Sequence, residues 1–373
     1  MNPALPKEEN TNRRKSWVKR PKLITGLDIG SSKVSCAAGE TALDGSLKIL
    51  SQAAYPARGV SRGAIVDFNG AVDSVTRALA KLGELISRRP EDIYVNINTD
   101  TIHGETARGM VPLSLRGREV TRADMERCVN AASTIRLPFD REIIHKIVHS
   151  FSIDDQPWIA NPTGLYASRL ACEIYVITAN INHIQNLHKC LDSAGYNASE
   201  FVYSGMADGM SMLDAMDRED GALVMGIGAG LTEISIFFGG LLRDCLVLPI
   251  GAEDLIGDLK CSGKLNDIIT AVQARIEEFS KKVGSVKSII LTGGATFNDA
   301  VVEALGERLS LPLKVGSIRG IRGSISTIDS MKALTAIGIV RYAHERLKIR
   351  AAEHKGPIKG ISSKVIDILN NYF

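Results

Sequence analysis

Three glycine-rich segments carry residue types that hold phosphate groups. They are Asp28-Ile-Gly-Ser-Ser-Lys33, Gly226-Ile-Gly-Ala-Gly-Leu-Thr-Glu233 and Thr292-Gly-Gly-Ala295. In such turns the backbone N–H groups and hydroxyls converge on an anion, and glycine lets the backbone approach a ligand closely. A carboxylate such as Asp28 could hold a hydrated Mg²⁺ opposite the phosphates. Together the segments predict a phosphate-binding cleft.

Each of the first two segments lies at the turn of an apolar hairpin. One hairpin spans about Leu23–Ala38, and the other joins strands predicted at Ala222–Ile227 and Thr232–Phe238. Both continue into alternating helices and strands, but an α+β block at Glu91–Ser168 interrupts the first unit. We therefore predict an α/β fold with two similar units, an insert in the first, and a ligand cleft between them.

The order of the three segments resembles the actin-like ATPase superfamily, with its two phosphate loops and its adenosine loop. Within it, four further segments are similar to FtsA proteins: Pro56–Asp67, Arg118–Thr121, Asp140–His145 and Val247–Gly251. The resemblance covers about Leu23–Ala343. It implies duplicated ribonuclease-H-like units with an inserted subdomain 1C.

The resemblance also implies a division of the chain, in which the second unit is short. Lys260 and Thr292 are only 32 positions apart, where FtsA proteins carry a longer stretch, so most of subdomain 2B is missing. The expected parts are a basic arm (1–22), subdomain 1A (23–90 and 169–215), the inserted subdomain 1C (91–168), subdomain 2A (216–328), a helix returning to 1A (329–350), a linker (351–360) and a terminal amphipathic helix (361–373).

The resemblance implies ATP and Mg²⁺ as ligands, with Asp28 holding the metal through water. The expected nucleotide contacts lie in or beside the three turns. They are Asp28, Gly30, Ser31, Ser32, Lys33, Gly226, Gly228, Ala229, Gly230, Thr232, Gly251, Gly293, Gly294 and Ala295.

The second phosphate loop departs from the family pattern D-I-G-G-G-T-T-D. Gly226 stands where the pattern has its first Asp, which helps to hold the metal and the attacking water, and Leu231 replaces a Thr. Glycine cannot position water or balance the charge of Mg²⁺, and phosphoryl transfer depends on such positioning. We therefore predict nucleotide binding with little or no hydrolysis, at most a very weak ATPase.

The last thirteen residues have an amphipathic pattern. At 100° per residue, the apolar side chains fall within one arc of about 160°. They are Ile361, Val365, Ile366, Ile368, Leu369, Tyr372 and Phe373. Such a helix lies in a membrane interface, which matches the membrane-targeting helix of the resembled family. The alternative is a terminal helix that docks on the body of the protein.

Charge and composition argue against nucleic acid as a partner. The net charge is +3, residues 1–22 alone carry a surplus of five cations, and only 5% of the residues are aromatic. The rest of the chain is therefore not basic and is poor in base-stacking side chains. The basic arm is predicted to be disordered, and it is either a solvated tail or a contact with anionic lipid or with the protein's own surface.

Three functional hypotheses remain open at this point. The resemblance favours a peripheral scaffold at the division site, on the cytoplasmic face of the inner membrane. It would bind the C-terminal tail of FtsZ, recruit later divisome proteins and self-associate in filaments. The alternatives are an active actin-like ATPase switch and a PilM-like membrane-assembly protein. His145 and His149, four apart in a predicted strand, lack a third metal ligand and are expected to be structural.

Overall fold

The computed structural model describes residues 22–42, 45–134, 137–154, 156–255, 263–320 and 331–355. All seven predicted membrane-facing residues, from Ile361 to Phe373, lie outside these ranges, as does the predicted arm up to residue 21. Lys22 was predicted to belong to the arm. Instead it begins the first strand, and its ammonium group lies 2.9 Å from the carboxylate of Asp92.

Strands supply the framework of the fold. Their bounds are β1 (Lys22–Ile29), β2 (Lys33–Thr41), β3 (Leu47–Pro56), β4 (Val60–Ser61), β5 (Ala64–Ile65), β6 (Ile93–Ile97), β7 (His103–Pro112), β8 (Arg118–Glu119), β9 (Arg141–Ile153), β10 (Gln156–Ile159), β11 (Tyr166–Ala167), β12 (Arg169–Asn180), β13 (Ala198–Tyr203), β14 (Ala222–Ile227), β15 (Thr232–Phe238), β16 (Leu241–Leu248), β17 (Ser288–Thr292) and β18 (Leu313–Val315).

Helices cover the sheets and connect the strands. They are α1 (Phe68–Ile86), α2 (Arg122–Ser133), α3 (Ile181–Ser193), α4 (Ser204–Met212), α5 (Ala215–Asp220), α6 (Gly263–Lys282), α7 (Asp299–Arg308) and α8 (Leu334–Lys355), with 3-10 turns at Ala252–Leu255 and Gly294–Phe297. Helix α8 continues five residues into the predicted linker, which therefore cannot begin at 351.

Two five-stranded sheets repeat one design. The first has the order β13-β6-β1-β2-β3, and the second has the order β18-β17-β14-β15-β16. In each, the first hairpin strand pairs antiparallel with the next strand and parallel with a later one: β1 with β2 and β6, β14 with β15 and β17. This confirms the predicted duplicated α/β fold. The strands β1 and β14 are apolar and almost wholly buried, as expected for strands covered on both faces.

The insert is a separate four-stranded sheet, β10-β9-β12-β7, against which α2 packs. Its limits differ from the predicted 91–168. Strand β6 pairs with β1 and β13, so it belongs to the first sheet. Strand β12 pairs with β7 and β9, so it belongs to the insert. The insert therefore begins and ends about ten residues later than the sequence indicated.

Helix α8 packs against β1 and α4 at backbone distance. A Cβ atom on Gly26 of β1 would lie 2.1 Å from the carbonyl oxygen of Ala336. A Cβ atom on Gly338 of α8 would lie 2.0 Å from the carbonyl oxygen of Ala207. Since neither carbonyl can rotate away without moving its helix, both positions require glycine. These contacts fix α8 to the first sheet and to α4.

We expect Gly338→Ala to destabilise the protein by about 2 kcal/mol or more, because overpacking against backbone costs about 1–3 kcal/mol. Gly263→Ala, at the start of α6, is the matched control, since within the part of the chain that the structure describes no atom lies within 4 Å of the added Cβ. The measurement is the urea midpoint of unfolding. A Gly338→Ala protein that unfolds at the wild-type midpoint would contradict the packing described here.

Candidate functional site

A cleft of about 620 Å³ lies between the two five-stranded sheets. Twelve of the fourteen residues predicted from the sequence line it. They are Asp28, Gly30, Ser31, Ser32, Lys33, Gly226, Gly228, Ala229, Gly230, Gly293, Gly294 and Ala295. The structure thus brings three segments that are distant in sequence to one cavity. That they bind nucleotide stays a prediction.

The two hairpin turns have the same local geometry. The N–H of Gly30 donates to the carbonyl of Lys33 at 3.0 Å, and the N–H of Gly228 donates to the carbonyl of Leu231 at 2.9 Å. Each bond closes a four-residue turn between antiparallel strands. Because the two sheets repeat one design, the turns occupy equivalent places and face the same cleft.

The third segment requires glycine at its first position. Gly293 has a φ of 90°, and a Cβ there would lie 2.3 Å from the carbonyl oxygen of Ile227. The next residue, Gly294, begins a 3-10 turn, and no atom of the described residues lies within 4 Å of its Cβ position. This turn therefore leaves open space beside the cleft, as a base or ribose site requires.

Thr232 and Gly251 do not line the cleft. The Thr232 hydroxyl is buried and donates to the carbonyl of Ile250 at 2.7 Å. A Cβ on Gly251 would lie 2.1 Å from the carbonyl oxygen of Ala229. Both residues support the second turn from behind, so their prediction as ligand contacts is corrected to a supporting role.

An amide at the end of β6 joins the first turn to α4. The Asn96 side-chain oxygen accepts from the N–H of Ile29 at 2.7 Å, and its nitrogen lies 3.3 Å from the hydroxyl of Ser204. Asn96 and Ser204 also line the cleft. A single buried side chain therefore sets the position of the first turn relative to α4.

Two further carboxylates line the cleft: Asp208, which the sequence analysis did not single out, and Glu233, which ends the second glycine-rich segment. Asp208, on α4, is only 4% exposed, and Glu233 lies at the second residue of β15. Burial, and to a smaller extent the charge of Asp28, raises the pKa of Asp208 to about 7, although the hydrogen bond from Thr335 lowers it. Burial, then the charges of Asp208 and Asp28, raise the pKa of Glu233 well above its usual value. The pKa of Asp28 is itself raised by burial, although Lys33 and Ser35 lower it.

Two lysines balance part of this negative charge. Lys33 and Lys332 both line the cleft. Burial lowers the pKa of Lys33, the nearby Asp28 raises it, and Lys332 lowers it. An anion between these ammonium groups would relieve their repulsion, which suits a phosphate chain.

Side chains also join the two halves across the cleft. Arg62, in the turn between β4 and β5, lies 3.3 Å from the carboxylate of Asp254. Asn98, just after β6, donates a hydrogen bond to Glu233. The Asn98 side-chain oxygen and Glu233 Oε2 are buried and have no hydrogen-bond partner among the described residues.

These groups fit a magnesium nucleotide. Mg²⁺ prefers oxygen ligands and is usually bound through one or two carboxylates together with phosphate oxygens. The cleft offers carboxylates, an orphaned buried Oε2 on Glu233 and two phosphate-type turns. Among the residues that the structure describes, no three His, Cys, Asp or Glu side chains could hold a metal by themselves. The phosphates would therefore have to complete the metal's coordination.

His145 and His149 are structural within the described ranges. His145 Nε2 accepts from the N–H of Tyr203 at 2.9 Å, and His149 Nε2 lies 3.1 Å from the carbonyl of Leu242. Burial lowers the pKa of each to about 3, so both are neutral. They connect the insert to β13 and β16 and take no part in the cleft.

We expect Asp208 to make stability depend on pH. Its pKa is raised from 3.8 to about 7 by burial and by Asp28, while Thr335 lowers it. Because the folded state holds the proton more tightly, its contribution to stability is fully present below pH about 4 and is lost as the pH rises through 7. The stability of the wild type relative to Asp208→Asn should therefore fall between pH 4 and 7, as measured by urea unfolding. A difference that is equal at pH 5 and pH 8 would contradict the assignment.

Comparisons with known proteins agree with this architecture. Residues 100–178 match the family described as the SHS2 domain inserted in FtsA. The cell division protein FtsA of Pseudomonas aeruginosa is 26% identical over 88% of this chain and 91% of its own length. FtsA of Borreliella burgdorferi is 27% identical over 92% of this chain and 94% of its own length.

The fold comparison points the same way. The PilM-PilN type IV pilus biogenesis complex contains a chain with a TM-score of 0.63 and 14% identity, covering 85% of this chain and 97% of that one. At this identity the likeness concerns the fold, which is the actin-like one. The FtsA similarity supports a role in cell division. The chain is similar to the FtsA cell-division proteins over about nine-tenths of its length, has an actin-like fold, and matches in its first half the SHS2 domain inserted in FtsA.

Proposed function

We propose that this protein is a membrane-attached scaffold of cell division that holds ATP and Mg²⁺ in its cleft with little or no hydrolysis. The observation that carries the proposal is the pair of equivalent turns facing one cleft, with Gly226 at the end of the strand that leads into the second turn. The nucleotide would bridge the two halves, because its phosphates would contact both turns at once. Its role is then to stabilise one arrangement of the halves.

Gly226 is the reason for the expected lack of turnover. It lines the cleft beside the second turn but carries no group that could orient water. Phosphoryl transfer depends on positioning and charge, so a cleft without that group binds ATP more readily than it hydrolyses it.

The proposed protein partners are the C-terminal tail of FtsZ, later divisome proteins and further copies of the chain. Support comes from the FtsA relatives, which align over about nine-tenths of their own length. The second half is short: between β16 and β17 the described residues form one 3-10 turn and α6. FtsZ binding therefore has to use a smaller surface than a longer second half would offer.

The proposed attachment to the membrane is peripheral, through residues 361–373. The apolar pattern of that segment supports it. No helix among the described residues is long and apolar enough to cross a bilayer. Partial burial of six or seven large side chains is worth several kcal/mol, at ~1.5–3 kcal/mol each when fully buried. Since this binding is modest for one chain, self-association would strengthen it through many simultaneous anchors.

We expect ATP with Mg²⁺ to bind one site per chain, measured by calorimetry, with no phosphate release above background in the same sample. Ser32→Glu is the loss-of-binding variant, because it places a carboxylate in the first turn where a phosphate would lie. Val315→Glu, at a half-exposed position of the edge strand β18, is the matched control that leaves binding unchanged. Steady phosphate release that Ser32→Glu abolishes would instead establish an active ATPase.

We expect the full chain to sediment with vesicles of phosphatidylethanolamine and phosphatidylglycerol and to carry FtsZ with it. A chain ending at residue 360 should stay in the supernatant and still bind FtsZ. Ile366→Glu with Leu369→Glu should act like the truncation, whereas Ser363→Glu with Asn370→Glu, on the polar side, should have a much smaller effect.

Two results would contradict this account. Sedimentation of the truncated chain would place the membrane contact elsewhere. Vesicle binding by the full chain without recruitment of FtsZ would remove the proposed tether and favour a different assembly role for the same fold.

A further inference from the structure

The surroundings of Gly226 contain a carboxylate that comes from another element. A Cβ atom on Gly226 would lie 3.5 Å from Asp208 Oδ2, 3.5 Å from Thr292 Cγ2 and 3.8 Å from the Cβ of Glu233. These are ordinary van der Waals distances, so an alanine would fit at 226. Because Gly226 has no side chain, there is free space beside its backbone, and Asp208 Oδ2 lies at the edge of this space.

Asp208 is held in one orientation. Its Oδ1 accepts a hydrogen bond from the Thr335 hydroxyl at 2.8 Å, which ties α4 to α8. The residue is 4% exposed and lines the cleft. The packing of Gly338 against Ala207, the residue before Asp208, further fixes this part of α4. With Oδ1 engaged, Oδ2 is the oxygen left to meet a ligand.

The carboxylates near Gly226 favour a bound cation. Asp28, Asp208 and Glu233 all line the cleft, and each of the last two is affected by the charge of Asp28. Glu233 Oε2 is buried without a hydrogen-bond partner. Lys33 offsets Asp28, but within the described ranges neither Asp208 nor Glu233 forms an ion pair with a lysine or arginine. A divalent ion bound with phosphates would satisfy these oxygens together.

We infer that Asp208 supplies, from helix α4, a carboxylate that holds the Mg²⁺ of a bound nucleotide beside the second turn, in the space left by Gly226. This inference rests on the proposed nucleotide site and deepens it by assigning the metal contact. Under this assignment the cleft can hold the metal without hydrolysing ATP. Asp208 approaches from α4 and not from the strand before the second turn, and one of its two carboxylate oxygens already accepts a hydrogen bond from Thr335.

The test compares ATP affinity with Mg²⁺ and with EDTA, by calorimetry, for the wild type and four variants. Asp208→Asn keeps the size of the side chain and an oxygen for Thr335. We expect Mg²⁺ to tighten binding by about tenfold or more in the wild type, which is ~1.4 kcal/mol. In Asp208→Asn most of that gain should vanish, while affinity in EDTA should stay equal or improve, since a negative charge near the phosphates is removed.

The remaining variants separate a metal contact from a structural role. Asp208→Ala should lose the gain as well, and Asp208→Ala combined with Gly226→Asp should recover it, because the carboxylate returns from the adjacent strand. Val315→Glu, on the edge strand β18 and outside the residues that line the cleft, is the control and should keep the full gain. Thermal melting of every variant checks that the fold is retained.

The outcomes distinguish this inference from the proposed function. A wild type that binds no ATP in either condition overturns both. A wild type with a clear Mg²⁺ gain that Asp208→Asn retains in full overturns the inference and leaves the nucleotide site standing. Failure of the double variant to recover any gain, with its melting temperature unchanged, would also count against an exchange of carboxylates between 208 and 226.

Discussion

Backbone-distance packing of α8 is the constraint on which the cleft depends. Gly26 and Gly338 let this helix approach β1 and α4 closely. Through α4, the same contact fixes Asp208 and the start of the helix at Ser204, which Asn96 ties to the first turn. The chemistry of the cleft is therefore set by glycines that never touch a ligand. Close packing transmits small changes, because protein interiors are about as dense as organic crystals.

The cleft combines two kinds of group that oppose each other in the absence of a ligand. The turns and the lysines favour an anion, whereas the buried carboxylates favour a cation or a proton. A magnesium nucleotide satisfies both, since it presents negative oxygens and a divalent metal together. Both halves contribute groups that bind the anion and carboxylates that favour the cation. We therefore expect ligand binding to be coupled to the arrangement of the two halves.

Much of the fold and the three turns could be predicted from sequence, because their signals are local. A Gly-Ser turn between apolar strands and a Gly-Gly pair after a strand predict their own geometry. Asp208 carried no such signal, because it reaches the cleft through the packing of α4. Glu233 ends the second glycine-rich segment, but its place in the cleft depends on the register of β15. Thr232 and Gly251 were predicted to line the cleft because their neighbours in sequence do, but these two residues themselves do not. The predicted limits of the insert lie about ten residues too early in the sequence. Strand β6 pairs within the first sheet and β12 pairs within the insert, and the amino-acid composition of a strand does not reveal which sheet it joins.

The central claim is that a nucleotide lies between the two turns and holds the halves together. A crystal structure of the full chain with Mg²⁺ and a non-hydrolysable ATP analogue tests it most directly. The account predicts phosphates between the turns at Gly30 and Gly228, the metal between those phosphates and the carboxylates of Asp28 and Asp208, and the base beside Gly294. An analogue bound elsewhere, or a cleft without analogue at saturating concentration, would contradict it.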